Sequence, residues 1–128
     1  MARPPSTNLT EAELRLMDVI WRKGKATVAE VVEELGQASA PAYNSVLTTM
    51  QILERKGYLR HTPAKTGRAF VYQPVVSRQK ASRNAVRHLV SRFFGDSAEA
   101  LVLNVIENEK LSDAELDRVR ALLKEKLK

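Results

Sequence analysis

The chain has no cysteine and only two histidines in its 128 residues. That removes disulfide scaffolds, thiolate metal sites and cysteine nucleophiles, and it leaves too few imidazoles for a metal cluster. No cofactor is expected. No apolar run approaches the ~20 residues that span a bilayer, and Met1–Leu9 lacks the hydrophobic stretch of a signal peptide. The expectation is a cytoplasmic protein built as one ordinary domain or two small ones. His61 and His88 fall in different predicted elements, and there is neither a Ser/His/Asp order nor a Gly-rich phosphate loop. Both histidines read as surface or packing residues, and an enzyme is the least expected class.

A further absence is regional. Between Arg55 and Gly95 there is no acidic residue, while ten basic ones occur: Arg55, Lys56, Arg60, Lys65, Arg68, Arg78, Lys80, Arg83, Arg87 and Arg92. Residues 1–54 carry five basic against seven acidic residues, and residues 96–128 carry six against eight, so the middle of the chain supplies the net charge of +6. Self-repulsion in such a segment costs stability, and a polyanionic partner that neutralises it is the natural physical explanation.

The local patterns give the organisation. Residues 1–8, with Pro4 and Pro5, read as a flexible arm. Thr10 with Glu13 is a capping box ahead of the stripe Leu14, Met17, Val19, Ile20 and Trp21, which predicts a helix over about 10–23. Thr27 with Glu30 repeats the device before Val28, Val31, Val32 and Leu35, a short helix over 28–35 with Gly36 as a left-handed stop. Ser39 can cap and Pro41 can open a third helix, along which Val46, Leu47, Met50 and Leu53 run to Gly57. The period then changes. Residues 58–62 and 69–73 read as strands joined by the basic turn Pro63–Gly67. Three helices followed by a hairpin within residues 9–75 is the order of a winged helix-turn-helix, with the third helix as the recognition helix.

After Pro74 the helical period returns. Val86, Leu89, Val90, Phe93 and Phe94 make one stripe, ended by Gly95. Asp96 with Glu99 is expected to cap a second helix bearing Leu101, Val102, Val105 and Ile106, and Ser112 with Glu115 a third bearing Leu116, Val119, Leu123 and Leu127. Residues 76–128 bury too little surface to be stable alone, so these apolar positions are expected to form a dimer interface. Folding back onto the N-terminal domain is the alternative. The fold class is therefore mainly α with a small β-hairpin: a winged helix-turn-helix plus a C-terminal three-helix dimerisation domain.

On the third helix, Val46, Met50 and Leu53 share the buried side, with Tyr43 at its margin and expected to be partly core. Asn44, Ser45, Thr48, Gln51 and Arg55 fall on the opposite side, with Thr49 on the flank. Asn and Gln can pair bidentately with adenine, and Ser and Thr hydroxyls can reach bases or phosphates. Recognition helices enter the major groove by their N-terminal half, which makes Asn44, Ser45 and Thr48 the expected base readers. Lys65, Thr66 and Arg68 at the hairpin tip are expected on phosphate or in the minor groove, and Tyr43, Gln51, Arg55, Lys56 and Arg60 are further DNA-binding candidates.

Four blocks carry a resemblance: Leu9–Trp21 (LTEAELRLMDVIW), Ala42–Leu59 (AYNSVLTTMQILERKGYL), Arg68–Pro74 (RAFVYQP) and Leu103–Ser112 (LNVIENEKLS). Taken in order, over about residues 8–127, they closely resemble the BlaI/MecI/CopY family of bacterial repressors. The resemblance implies a winged-helix domain, a three-helix dimerisation domain and repression through a palindromic operator. It puts base contacts at Asn44, Ser45, Thr48 and Thr49. Copper-responsive members carry a Cys-rich C-terminal tail, whereas this chain ends LLKEKLK, so a copper switch is not implied. Penicillinase-repressor members are cut at an Asn-Phe bond after a membrane sensor protease detects β-lactam. The matching bond here is Asn104–Val105, with valine in place of phenylalanine.

The expected function is thus a homodimeric repressor of double-stranded DNA. Two readings from other classes stay open at this point: a sequence-nonspecific architectural or RNA-binding protein using the basic segment as a phosphate clamp, and a protein-interaction adaptor in which the Asn44, Ser45 and Thr48 face is idle.

Overall fold

A computed structural model describes residues 9–36 and 43–128. The expected arm at 1–8, and the expected cap and first turn at Ser39 and Pro41, lie outside the described residues.

Helix α1 (Glu11–Lys23) begins where the Thr10 hydroxyl accepts the Glu13 N–H at 3.1 Å and Glu13 Oε1 accepts the Thr10 N–H at 2.9 Å. This reciprocal cap satisfies two backbone donors that no helical carbonyl can reach. Thr27 and Glu30 do the same for α2 (Val28–Leu35). Thr27 also ends β1 (Ala26–Thr27), a two-residue strand with too few residues to show any alternation in the sequence. Gly36 is not the expected left-handed stop, because its backbone is extended at φ −69°. Its value is room: a Cβ there would sit 2.7 Å from the carbonyl oxygen of Val32.

Helix α3 (Tyr43–Arg55) leads through Gly57 into β2 (Leu59–Pro63), which pairs with β3 (Phe70–Pro74), and β3 pairs in turn with β1. Both long strands are antiparallel and start one residue later than the alternation predicts. Tyr58 explains the shift in β2, since its N–H closes the end of α3 on the Leu53 carbonyl at 2.9 Å. The ladder runs on to Ala64, whose N–H donates to the Ala69 carbonyl, so Lys65, Thr66, Gly67 and Arg68 form the tip.

The core of this unit is Leu16, Met17 and Ile20 of α1, Val31 of α2, Val46, Met50 and Leu53 of α3, and Tyr58, Leu59, Tyr72 and Val76 around the sheet. Ala81 joins it from α4 (Arg78–Phe93), and Arg78 reaches Asp18 at 2.6 Å and lies over the Trp21 ring. The chain therefore divides inside α4, between Val86 and Arg87, and not at the expected boundary of 75/76. The first half of α4 is spent on the winged-helix core.

The second unit contains the end of α4, helix α5 (Ala98–Asn108) and helix α6 (Asp113–Lys126). Ser112 and Glu115 cap α6 as the sequence predicts. The expected cap of α5 is displaced. Gly95 and Asp96 both take positive φ, and the Asp96 N–H closes the end of α4 on the Val90 carbonyl at 3.1 Å. With Asp96 spent on ending one helix, Ser97 starts the next by accepting the Ala100 N–H at 3.0 Å.

Glu13 ties local to long-range structure. It is 5% exposed, caps α1, and accepts from Lys56 Nζ at 2.8 Å across 43 residues of sequence. Burial pushes its carboxyl upward, but the bonds from Lys56 and Thr10 outweigh it and hold the group below its ordinary value of 4.5. A depressed carboxylate contributes stability that is present above 4.5 and lost as pH falls through the folded-state value. Glu13→Ala is expected to lower unfolding free energy by about 1–3 kcal/mol at pH 7 in denaturant titrations, with a deficit that shrinks below pH 4.5.

Candidate nucleic-acid interface

Helix α3 is anchored by Val46, Met50 and Leu53, all buried, and the residues on its far side are consequently turned outward. Asn44, Ser45, Thr48, Gln51 and Arg55 are all exposed, as the periodicity predicts. Thr49 is half-buried, and its hydroxyl donates to the Ser45 carbonyl at 2.9 Å, which leaves the oxygen only acceptor capacity for any further partner. Tyr43 departs from expectation. At 51% exposure it is not partly core. It stands at the first turn of α3 and borders a hollow of about 320 Å³ between that helix and the hairpin, with Thr27, Leu47, Gln51, Arg68 and Phe70 among its neighbours.

The hairpin tip exposes Lys65, Thr66 and Arg68. Among the described residues no carboxylate lies within ion-pairing distance of Arg55, Lys65 or Arg68. Besides Arg78, two other cations of the acid-free segment are engaged within the fold. Lys56 is bound to Glu13 at 2.8 Å, which gives it a structural role within the fold. Arg60 faces its cross-strand partner Gln73, whose amide oxygen accepts from Nε at 2.7 Å and Nη2 at 2.8 Å. Gln73 is neutral, so Arg60 keeps its charge but holds a fixed direction.

Two features were not visible in the sequence. Arg15 of α1 lines a hollow of about 270 Å³ beside Ser45 and Thr49, with no ion pair to any described carboxylate. Nothing local to α1 marks it, because the relevant neighbours are thirty residues away. His61 Nδ1 donates to both carboxylate oxygens of Glu54, at 2.7 and 2.9 Å, linking β2 to α3.

In the second unit, none of residues 87–128 is buried. Leu89, Phe93, Val102, Val105, Ile106, Leu116, Val119, Leu123 and Leu127 are exposed, the extremes being Phe93 at 74% and Leu127 at 86%. Val90, Phe94 and Leu101 are half-buried, and Val86, also exposed, belongs to the first unit. Asn104 and Val105 lie in the middle of α5, where the Asn104 carbonyl also accepts from the Asn108 amide at 2.9 Å. Val105 shares a hollow of about 510 Å³ with Leu89, Phe93, Phe94 and Leu101, so it sits on the apolar side of its helix. No helix of the described residues is long and apolar enough to cross a membrane.

The profile of the penicillinase repressor family matches residues 9–125. The penicillinase repressor of Bacillus licheniformis is 32% identical over 117 residues, covering 91% of this chain and 90% of that protein. The methicillin resistance regulatory protein MecI of Staphylococcus aureus is 25% identical over 118 residues, covering 92% and 94%. Among solved structures, the DNA-binding domain of the repressor BlaI superposes with a TM-score of 0.51 at 34% identity, covering 62% of this chain and 93% of that domain. The helix, helix, helix, hairpin order and the family match over nearly the whole length agree: the chain belongs to the penicillinase repressor family.

Proposed function

We propose that this chain, a DNA-binding repressor of transcription, acts as a symmetric homodimer on a palindromic operator. The observation that carries the reading is the pairing of an exposed amide and hydroxyl face on α3 with uncompensated cations, Lys65 and Arg68, at the hairpin tip. The first group has the donors and acceptors that distinguish base edges, and the second has the charge that holds phosphate without reading sequence. Asn44, Ser45 and Thr48 enter the major groove, Thr49 and Gln51 flank them, and Arg55, Thr66, Arg60 and Arg15 extend the contact to the backbone. Two such helices related by a dyad meet half-sites about one helical turn (~10 bp), or a multiple of it, apart.

Dimerisation is supported by the second unit, whose stripes of Leu, Val, Ile and Phe have no interior of their own. A second copy supplies the missing surface. One protomer makes too few contacts to compete with nonspecific genomic sites, so dimer stability is the switch. Cutting Asn104–Val105, the route a membrane sensor protease would take, removes the last turn of α5 and all of α6 from that interface. The bond is helical, so α5 must unwind before it can enter a protease.

Selection of binding sites from a random duplex pool at near-physiological salt is expected to enrich a palindrome. A pool that stays random despite retained DNA favours a nonspecific phosphate clamp instead, and no retention favours an adaptor. On the selected duplex, Thr48→Ala is expected to cost about 1–3 kcal/mol with little effect on random DNA. Lys65→Ala or Arg68→Ala should instead weaken all duplexes alike and flatten the salt dependence. Equal losses on both kinds of DNA for Thr48→Ala would remove that residue from the base-reading face. Leu101→Asp is expected to give monomers at micromolar concentration in sedimentation analysis, and a variant that stays dimeric places the interface elsewhere.

A further inference from the structure

We infer that Glu54 and His61 form a proton-sensitive clamp that holds the hairpin against the recognition helix, so that operator binding tightens as pH falls towards 6. The inference rests on the reading of α3 and the hairpin as the DNA-binding elements, and it concerns positioning residues, not base or phosphate contacts.

The geometry is specific. Glu54 lies near the C-terminal end of α3 and His61 at the middle of β2, and the imidazole Nδ1 sits between the two carboxylate oxygens at 2.7 and 2.9 Å. An ionised carboxylate can only accept, so Nδ1 carries the proton. The ring is braced on its other sides by Phe70, at 4.7 Å between centroids, and by Tyr72, its register partner, at 5.5 Å. Apolar packing does not close the rest of this seam, where α3 and the hairpin border the 320 Å³ hollow. A polar bridge therefore fixes the distance between the two elements where side chains leave space. Glu54 is also the last carboxylate before the acid-free segment, and it stands on the helix proposed to meet a polyanion. An acid there opposes binding unless a cation offsets it, and a protonated His61 would supply that cation at hydrogen-bond distance.

The sign follows from the groups that face the imidazole. Glu54 approaches from α3, Tyr43 lies at the far end of the same helix, Tyr72 from β3, and Arg68 from the hairpin tip, while Thr27, Val28 and Ala29 from β1 and α2 bring no charge. Burial raises the Tyr72 phenol above its ordinary value of 10, with the Glu54 and Tyr43 charges adding to the rise, so it stays neutral across the relevant range. Arg68 and Glu54 are the charged groups that border the imidazole, Glu54 from hydrogen-bond distance. Imidazole is the side chain whose charge changes between pH 5 and 8, and the bond to a carboxylate strengthens when the ring is charged. Phosphates arriving on the hairpin and α3 favour the charged ring further, so binding takes up a proton. By linkage, affinity rises as pH falls.

The test uses the full chain and two readouts. Hydrogen exchange of the 59–62 and 70–73 amides, corrected for the intrinsic pH dependence, is expected to slow between pH 7.8 and 6.0 in the wild type and not in Glu54→Gln or His61→Gln. Affinity for the selected duplex at fixed salt should rise roughly threefold to fivefold over the same span, the size an exposed ion pair allows. The slope should vanish in both variants, survive in part in Glu54→Asp, which keeps the charge, and survive fully in His88→Gln. Wild-type slopes in both Glu54→Gln and His61→Gln overturn the clamp. If hairpin protection responds as expected in a protein that selects no duplex, the clamp stands and the operator reading falls.

Discussion

Helix α3 has to be held by one side only. Val46, Met50 and Leu53 are buried against α1, α2 and the sheet, and because three residues at helical spacing cover less than half of the helix circumference, the opposite side has no structural duty. Most of what surrounds α3 fixes that docking. The reciprocal caps at Thr10 and Thr27 start the two supporting helices, Tyr58 closes the end of α3 on Leu53, and Lys56 runs back from that end to Glu13 at the start of α1. The polar face is free to read a partner because the apolar face is so fully committed.

The same economy divides the positive charge. A segment without a single acid cannot neutralise itself, so its cations must find carboxylates elsewhere in the fold or remain available. Lys56 takes Glu13, Arg78 takes Asp18 and stacks on Trp21, and Arg60 is aligned by a neutral amide. Arg55 and the two cations of the hairpin tip are left without a partner among the described carboxylates. The distribution separates charge that ties elements together from charge that faces outward, a distinction net charge alone does not carry.

What could be read in the sequence is what depends on neighbours within one turn. The capping boxes at Thr10, Thr27 and Ser112 are reciprocal bonds over three residues, and the side of α3 to which Asn44, Thr48 and Arg55 belong follows from its period. What could not be read depends on distant partners. Strand β1 exists only because β3 lies beside it, and Ser97 becomes the cap of α5 only because Asp96 is used in ending α4. The bond from Lys56 to Glu13 could not be read because it spans 43 positions. The domain boundary moved for a similar reason: Ala81 is an unremarkable helical alanine until the core it enters is seen. His61 read as a surface or packing residue, and only the fold brings Glu54 to its Nδ1.

The two units place opposite demands on stability. The first has a core of its own, which holds the exposed face of α3 in shape. The second leaves side chains as large as Phe93 and Leu122 exposed, and on the proposed reading a second copy covers them. On the dimeric reading, that asymmetry sets how the protein is switched. A signal acting on the first unit would have to break a packed core to abolish DNA reading, whereas one acting on the second needs only to compete with an interface whose strength depends on concentration. Two weakly competent halves joined by a breakable interface give a response steeper than either half could. On that reading the control point lies among the helices of the second unit.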